Sequence, residues 1–235
     1  MDKKFCNVTL VIVFICFTVI LLSGGIFKEY TSIEICKEFL SAVVEIKICD
    51  ENQNVIGNAT GTVISREGLI LTNRHIVQVY DYSMGEYVVQ DNVYVGFFNE
   101  TEYMLANIVS CGIDSDLALL KIERTTKNYI KMSKSEVGYG DEIHTIGNGN
   151  GFGLAYAKGY VASALVRVLY DGNSVEAIQL SLNINEGNSG GSLINGKGQL
   201  IGIITFRLRD NQGNVIHGTS FALPLGTIKT FLQSI

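Results

Sequence analysis

Apolar residues recur along this chain in two different rhythms. Near the start they are continuous: from Phe5 to Leu22 only Asn7, Thr9 and Thr18 interrupt the run. As a helix that stretch would span roughly 27 Å, close to the thickness of a bilayer's hydrocarbon core. Residues 1–27 therefore read as a membrane anchor or signal segment, with Ser23-Gly24-Gly25 as a candidate cleavage site and an uncleaved anchor preferred. Lys3 and Lys4 precede the run, which places the rest of the chain outside the cytoplasm. Residues 28–40 form a connector with a short helix over Ile33–Leu40.

From Ser41 the period changes to two. Val44, Ile46 and Ile48 alternate with polar positions, as on a strand with one buried face. Gly61–Ile64 and Leu69–Thr72 flank a turn at Arg66-Glu67-Gly68, and Val93–Phe98 and Tyr103–Val109 form a second hairpin about Asn99-Glu100. Residues 80–92 read as a polar loop. Leu117–Ile122 closes the first half, and residues 125–128 read as a bridge. The second half shows the same pattern, with strands over Glu142–Ile146, Leu154–Val166, Ala177–Leu182, Leu193-Ile194, Leu200–Phe206 and Gly218–Leu223. Many short strands separated by Gly/Asn turns predict an all-β sandwich or barrel domain over 41–235. Pro224 opens a last short helix, with Leu225, Ile228 and Leu232 on one face.

Composition narrows the function. Of 235 residues, 25 are glycine and one is proline, so glycine and asparagine do the turning. A net charge of −5 without a basic stripe excludes a nucleic-acid partner. Cys36, Cys49 and Cys111 allow one disulfide at most, and buried free thiols fit Cys49 and Cys111 better. No spacing suggests a metal site, and no cofactor is expected.

Candidate chemistry centres on Gly187-Asn188-Ser189-Gly190-Gly191. A serine among small, flexible residues can stand on a tight turn with its hydroxyl exposed. The backbone N–H groups there can converge on one oxygen. Such a nucleophile needs a base, and His75, at the polar tip of an apolar strand, is the best placed of three histidines. His144 lies inside a strand pattern and His217 in a glycine-rich loop. The base needs a carboxylate to fix its tautomer, and Asp116, just before Leu117–Ile122, sits where a strand can hold it. Asp114 reads as a turn residue.

Five motifs then occur in order: Thr72-Asn73-Arg74-His75-Ile76-Val77, Ser115-Asp116-Leu117-Ala118-Leu119-Leu120, Ile146-Gly147-Asn148, Gly187-Asn188-Ser189-Gly190-Gly191 and Phe221-Ala222-Leu223-Pro224. Together, over about 40–235, they resemble the protease domain of HtrA/DegP-type serine proteases, within the chymotrypsin-like group. The resemblance implies two six-stranded antiparallel β-barrels, about 41–124 and 128–235, with the active site between them. It implies His75 as base, Asp116 as its partner and Ser189 as nucleophile, with an oxyanion hole along Gly187, Asn188 and Ser189. Ile184, Ile203, Ile204, Thr205 and Phe206 would line the primary pocket, which lacks an acid for a lysine or arginine side chain.

Departures from the family pattern are local. Glu186 stands where the family has proline, Ser192 replaces another proline, and Ile178–Ser181 lacks the usual Thr-Asp. Asn188 stands where digestive enzymes carry an aspartate that pairs with a freed N-terminus. No PDZ domain is expected after the last helix. The expected function is a membrane-tethered serine endopeptidase acting on unfolded or exposed polypeptides outside the cytoplasm. The alternative is a protein-binding or holdase module on the same fold. The family resemblance also suggests a homotrimer, with Phe27, Tyr30 and Phe39 as contacts.

Overall fold

A computed structural model describes residues 28–112, 114–170, 173–208, 212 and 215–235. The apolar span and Phe27 lie outside the described residues. Among the described residues, no helix is long and apolar enough to cross a membrane.

The chain enters through helix α1 (Ser32–Phe39), whose first turn is closed by a reciprocal Thr31–Glu34 capping box. Residues 28–40 are thus docked rather than loose. Tyr30 and Phe39 meet edge to face at 5.6 Å. Both rings cover Gly198, where a Cβ would come within 2.6 Å of Phe39. Phe39 is buried within its own chain, which removes it as an intersubunit contact.

The first half builds one antiparallel sheet. It begins with β1 (Val43–Cys49), β2 (Val55–Val63) and β3 (Leu69–Thr72). The one-turn helix α2 (Arg74–Val77) and two strands outside the sheet, β4 (Gln78–Asp81) and β5 (Glu86–Val89), come next. The sheet resumes with β6 (Val93–Phe97), β7 (Tyr103–Leu105), β8 (Asn107–Cys111) and β9 (Ala118–Lys121). Its spatial order is β7-β6-β1-β2-β3-β9-β8. Seven strands rather than the expected six arise because one run is divided at Ala106. Ala106 turns its N–H to Val93 O at 2.8 Å. The half before it pairs with β6 and the half after it with β9. Both edges of the sheet are therefore one continuous piece of chain, and the sheet curls into a barrel-like shape around Val44, Ile46, Ile70, Val95 and Leu120.

Residues 80–92 are not a loop, because β4 and β5 form a separate hairpin there. Tyr80 sits opposite Tyr87, and their rings meet edge to face at 5.2 Å. Asp81 closes the turn by accepting from the N–H groups of Ser83 and Met84. A cross-strand aromatic pair and an Asx turn together outweigh the polar composition.

The second half is a closed six-stranded barrel. Its strands are β10 (Glu142–Gly147), β11 (Ala155–Tyr170), β12 (Asn173–Leu180), β13 (Ser192–Asn195), β14 (Leu200–Phe206) and β15 (Ser220–Pro224), in the order β10-β11-β12-β15-β14-β13. Helix α3 (Leu225–Gln233) follows Pro224 and buries Leu225, Ile228 and Phe231. A shared apolar layer containing Leu71, Leu119, Ile146, Ile203 and Leu223 welds the halves together. Cys36, Cys49 and Cys111 are all half-buried, unpaired thiols.

His144, on β10, is fully buried, with Nδ1 at 2.8 Å from Tyr156 Oη. Its Nε2 has no hydrogen-bond partner, and Glu142 stands 3.6 Å away. Burial pushes the imidazole below its ordinary 6.5, and Lys158 adds to this against the opposing pull of Glu142. The unfolded chain then takes up a proton that the folded chain resists. The stability contributed is full above about pH 6.5 and declines as the pH falls below it. Thermal unfolding followed by circular dichroism at about pH 7.5 and pH 5 should show a smaller acid-induced drop in Tm for His144→Asn than for the parent. Equal drops would mean that His144 does not carry the effect.

Candidate active site

Between β12 and β13 the chain makes the turn that carries Ser189. Each carbonyl from Asn185 to Gly190 is paired. Asn185 O accepts from Asn188 N–H at 3.1 Å, Glu186 O from Asn150 N–H at 2.6 Å, and Asn188 O from Gly191 N–H at 2.9 Å. Thr60, on β2, supplies two more: its hydroxyl donates to Gly187 O at 2.6 Å and its N–H to Ser189 O at 2.9 Å. Thr62 Oγ1 donates to Gly190 O at 3.0 Å. The N–H groups are treated differently. Those of Asn188, Gly190 and Gly191 are paired, whereas those of Gly187 and Ser189 have no acceptor among the described residues.

The peptide between Glu186 and Gly187 explains one of the two. In a trans peptide the carbonyl and the following N–H point in opposite directions. Glu186 O faces Asn150, so Gly187 N–H is turned away from it. Gly187 holds φ = +92°, and a Cβ there would come within 2.2 Å of Asn148 O. Only glycine fits. The Gly149–Gly151 turn, with Asn150 left-handed at φ = +60°, is the surface against which this peptide is set.

Helix α2 is a single turn following Asn73. An asparagine in that position ordinarily caps the helix, but Asn73 does not. Its Nδ2 instead donates to Asp116 O at 2.8 Å and to Thr205 Oγ1 at 2.9 Å. One buried amide thereby fixes the start of the His75 turn, the backbone of Asp116 and the end of β14. Asp116 then takes His75 twice. Oδ1 accepts the backbone N–H at 3.0 Å and Oδ2 meets ring Nδ1 at 2.7 Å. A carboxylate only accepts, so Nδ1 carries the proton and Nε2 keeps its lone pair. Ser189 Oγ donates to Thr205 O at 2.9 Å rather than to His75.

His75 and Ser189 line one cavity of about 390 Å³ with Ile184, Thr205 and Phe206. The structure also brings in Asn185, Glu186, Arg207, Leu208 and Leu169, which the motifs do not contain. Ile203 and Ile204 are elsewhere. Both are fully buried, Ile203 in the layer between the halves and Ile204 inside the second barrel. Alternation along β14 sends them to opposite packed faces, and the cavity begins only where the strand ends. Asn188 N–H, committed to Asn185, is not a free donor. Arg207 was signalled only by its charge, one residue beyond β14, opposite the charge of Glu186 in the facing loop. His217 is exposed and lies outside the cavity.

Thr60 offers a direct test of how the turn is held. It is fully buried, and besides donating to Gly187 O its Oγ1 accepts from Asn148 N–H at 2.8 Å. Thr60→Val keeps the shape but leaves a buried carbonyl and a buried N–H unpaired. We expect a loss of about 2–4 kcal/mol in urea unfolding, read as a lower midpoint at unchanged slope. A loss below about 0.5 kcal/mol would mean that the hydroxyl does not hold the turn.

Comparison with known proteins agrees with this geometry. A family model described as a trypsin-like peptidase domain matches residues 59–203. Serine endoprotease DegS of Haemophilus influenzae is 32% identical over 193 residues, covering 80% of this chain and 53% of that protein. A probable periplasmic serine endoprotease, DegP-like, of Hahella chejuensis is 33% identical over 174 residues, covering 74% of this chain and 34% of that protein. The chain thus spans about half the length of the first relative and a third of the second. Among solved structures, the HtrA-type protease AlgW with a tripeptide superposes at a TM-score of 0.72 with 27% identity. It covers 88% of this chain and 64% of that one. The serine endoprotease from Yersinia pestis gives a TM-score of 0.67 with 25% identity, covering 87% and 66%. The chain belongs to the trypsin-like peptidase domain family, and it is similar to HtrA/DegP-type serine endoproteases.

Proposed function

We propose that this chain is a serine endopeptidase that cleaves unfolded or exposed polypeptides outside the cytoplasm, tethered to a membrane by residues 1–27. The observation that carries the reading is the pair of unpartnered N–H groups of Gly187 and Ser189 beside a histidine whose tautomer is fixed by Asp116. A turn built for packing alone would satisfy its donors as thoroughly as its acceptors.

Ser189 Oγ attacks the scissile carbonyl carbon and its proton passes to His75 Nε2. The carbonyl oxygen takes the electron pair and accepts from Gly187 and Ser189 N–H. As the intermediate collapses the C–N bond breaks, and His75 returns the proton to the leaving amine. Water then enters by the same route, with His75 taking its proton, and the acyl–oxygen bond to Ser189 breaks as His75 returns that proton to Ser189 Oγ. Asp116 remains a carboxylate throughout and stabilises the imidazolium. Before attack, Ser189 Oγ must leave Thr205 O, a side-chain rotation that exchanges one hydrogen bond for another. The holdase reading draws on that resting orientation of the serine, but it gives no reason for the two open donors.

Specificity follows from the wall. Ile184, Phe206 and Leu208 offer apolar surface, and the Arg207 guanidinium stands among them with its side chain 19% exposed. A lysine or arginine side chain would face that cation, and the nearby acid, Glu186, is already paired with it. Assembly as a homotrimer and an extracytoplasmic location belong to the same reading, and the resemblance to a probable periplasmic relative supports the location.

Two measurements test this. Ser189→Ala should lower kcat by at least about 10³-fold and abolish labelling by a fluorophosphonate while leaving Tm nearly unchanged. Undiminished turnover would remove Ser189 as nucleophile. Mass-spectrometric mapping of cuts in casein should show cleavage after alanine, valine and leucine, with few cuts after lysine or arginine. A map dominated by basic residues would mean that the primary pocket lies elsewhere.

A further inference from the structure

The residues that lead into the oxyanion turn are held by the Arg207 guanidinium. Arg207 Nη1 donates to Ile184 O at 3.3 Å and to Asn185 Oδ1 at 3.5 Å, and Nη2 donates to Glu186 Oε1 at 3.3 Å. These three contacts fall on three consecutive residues. They are the residues immediately before Gly187, and two of them also carry backbone links of the turn. Asn185 O accepts from Asn188 N–H, and Glu186 O accepts from Asn150 N–H. The direction of Gly187 N–H depends on the second of these, because it is set by where Glu186 O points.

We propose that Arg207, with Glu186 as its counter-ion, is a positioning residue that keeps the Glu186–Gly187 peptide in its catalytically useful orientation. The proposal rests on the endopeptidase reading above. Its physical basis is an asymmetry between the two partners. Glu186 is 77% exposed and Arg207 only 19%, so the ion pair itself adds little stability. A fixed, planar fork reaching three neighbours constrains direction much more than it adds energy. Without it, the Glu186–Gly187 peptide keeps its contact with Asn150 N–H, but glycine at 187 places no steric bar against rotation. A rotated peptide would aim a carbonyl where the oxyanion forms. Glu186 occupies the site where the family pattern has proline, whose ring would restrict the backbone at this point. Here that restriction is replaced by a side-chain tether from β14's end.

The test separates positioning from substrate contact, since Arg207 also lines the cavity. Arg207→Ala, Arg207→Lys, Glu186→Gln and the Arg207→Ala/Glu186→Gln double variant of the full chain are compared with the parent on a peptide substrate. The second readout is the rate of fluorophosphonate labelling, which also needs the oxyanion donors. Arg207→Ala should lower kcat by about 10²-fold, the scale of losing one oxyanion donor, with KM changed less than about threefold and labelling slowed in proportion. Arg207→Lys should recover part of kcat, and the double variant should lose no more than Arg207→Ala alone, because the two act as a unit. Glu186→Gln, at an exposed position, should lower kcat at unchanged Tm and so guards against misfolding as the cause. Unchanged kcat in both Arg207→Ala and Glu186→Gln, or a rise in KM alone, overturns the proposal. Ser189→Ala run in parallel keeps the two readings apart. If it stays active the endopeptidase assignment fails, and if it is dead while Arg207→Ala is fully active only the positioning role fails.

Discussion

The constraint on which the site depends is an imbalance in hydrogen bonding along one turn. From Gly187 to Gly190 all four carbonyls are paired, while the N–H groups of Gly187 and Ser189 have no acceptor among the described residues. Unpaired donors at a partly buried turn cost free energy, so they persist only where neighbours hold the backbone against rotating to satisfy them. Much of that restraint comes from the other half of the molecule. Thr60 and Thr62 on β2 grip Gly187, Ser189 and Gly190, and Thr72 Oγ1 in turn donates to Thr60 O at 2.8 Å. The apolar layer between the halves is therefore more than a core. It sets the register in which two threonines of the first half meet three carbonyls of the second.

A second node links the remaining groups. Asn73 holds the His75 turn, the Asp116 backbone and Thr205, and Thr205 O is the resting acceptor of Ser189. His75, Asp116 and Ser189 thus come from different elements but share one small polar network. Its centre, Asn73 and Thr205, is buried and nearly all its polar atoms are satisfied, which favours a single arrangement. The exception is Asn73 Oδ1, which has no partner. That residual cost sits beside His75, Asp116 and Ser189, at the kind of place where such costs tend to be tolerated for function.

Much of this was legible in the sequence, though unevenly. The short alternating runs pointed to the all-β class, and residue types at exposed turns singled out His75, Asp116 and Ser189 because nucleophile, base and carboxylate chemistry restricts each position to very few side chains. The split at Ala106 was not legible, since nothing in Tyr103–Cys111 distinguishes one strand from two that serve opposite edges. Ile203 and Ile204 were misplaced because a strand with both faces packed shows no alternation to say which end meets the cavity. Tyr80 and Tyr87 were hidden in a polar stretch because their pairing is a cross-strand property. Asn73 could have been read as a helix cap, and only the fold shows that its amide is used across 132 residues of chain.

Arg207 and Glu186 belong to a different category: residues whose chemistry is plain but whose meaning requires geometry. Each looks like an exposed loop charge, and as an isolated pair they would add at most about 1 kcal/mol. What gives the contact weight is leverage, because it acts on a peptide whose orientation decides whether an N–H or a carbonyl faces the reacting oxygen. An interaction of small energy can control a large rate difference when the two backbone states are close in free energy, since each 1.4 kcal/mol changes their ratio about tenfold. The strong contacts of the Thr60 network lie on the far side of Gly187 and fix where the turn is. The weak contacts of Arg207 lie on the near side and bear on which way one peptide within it points.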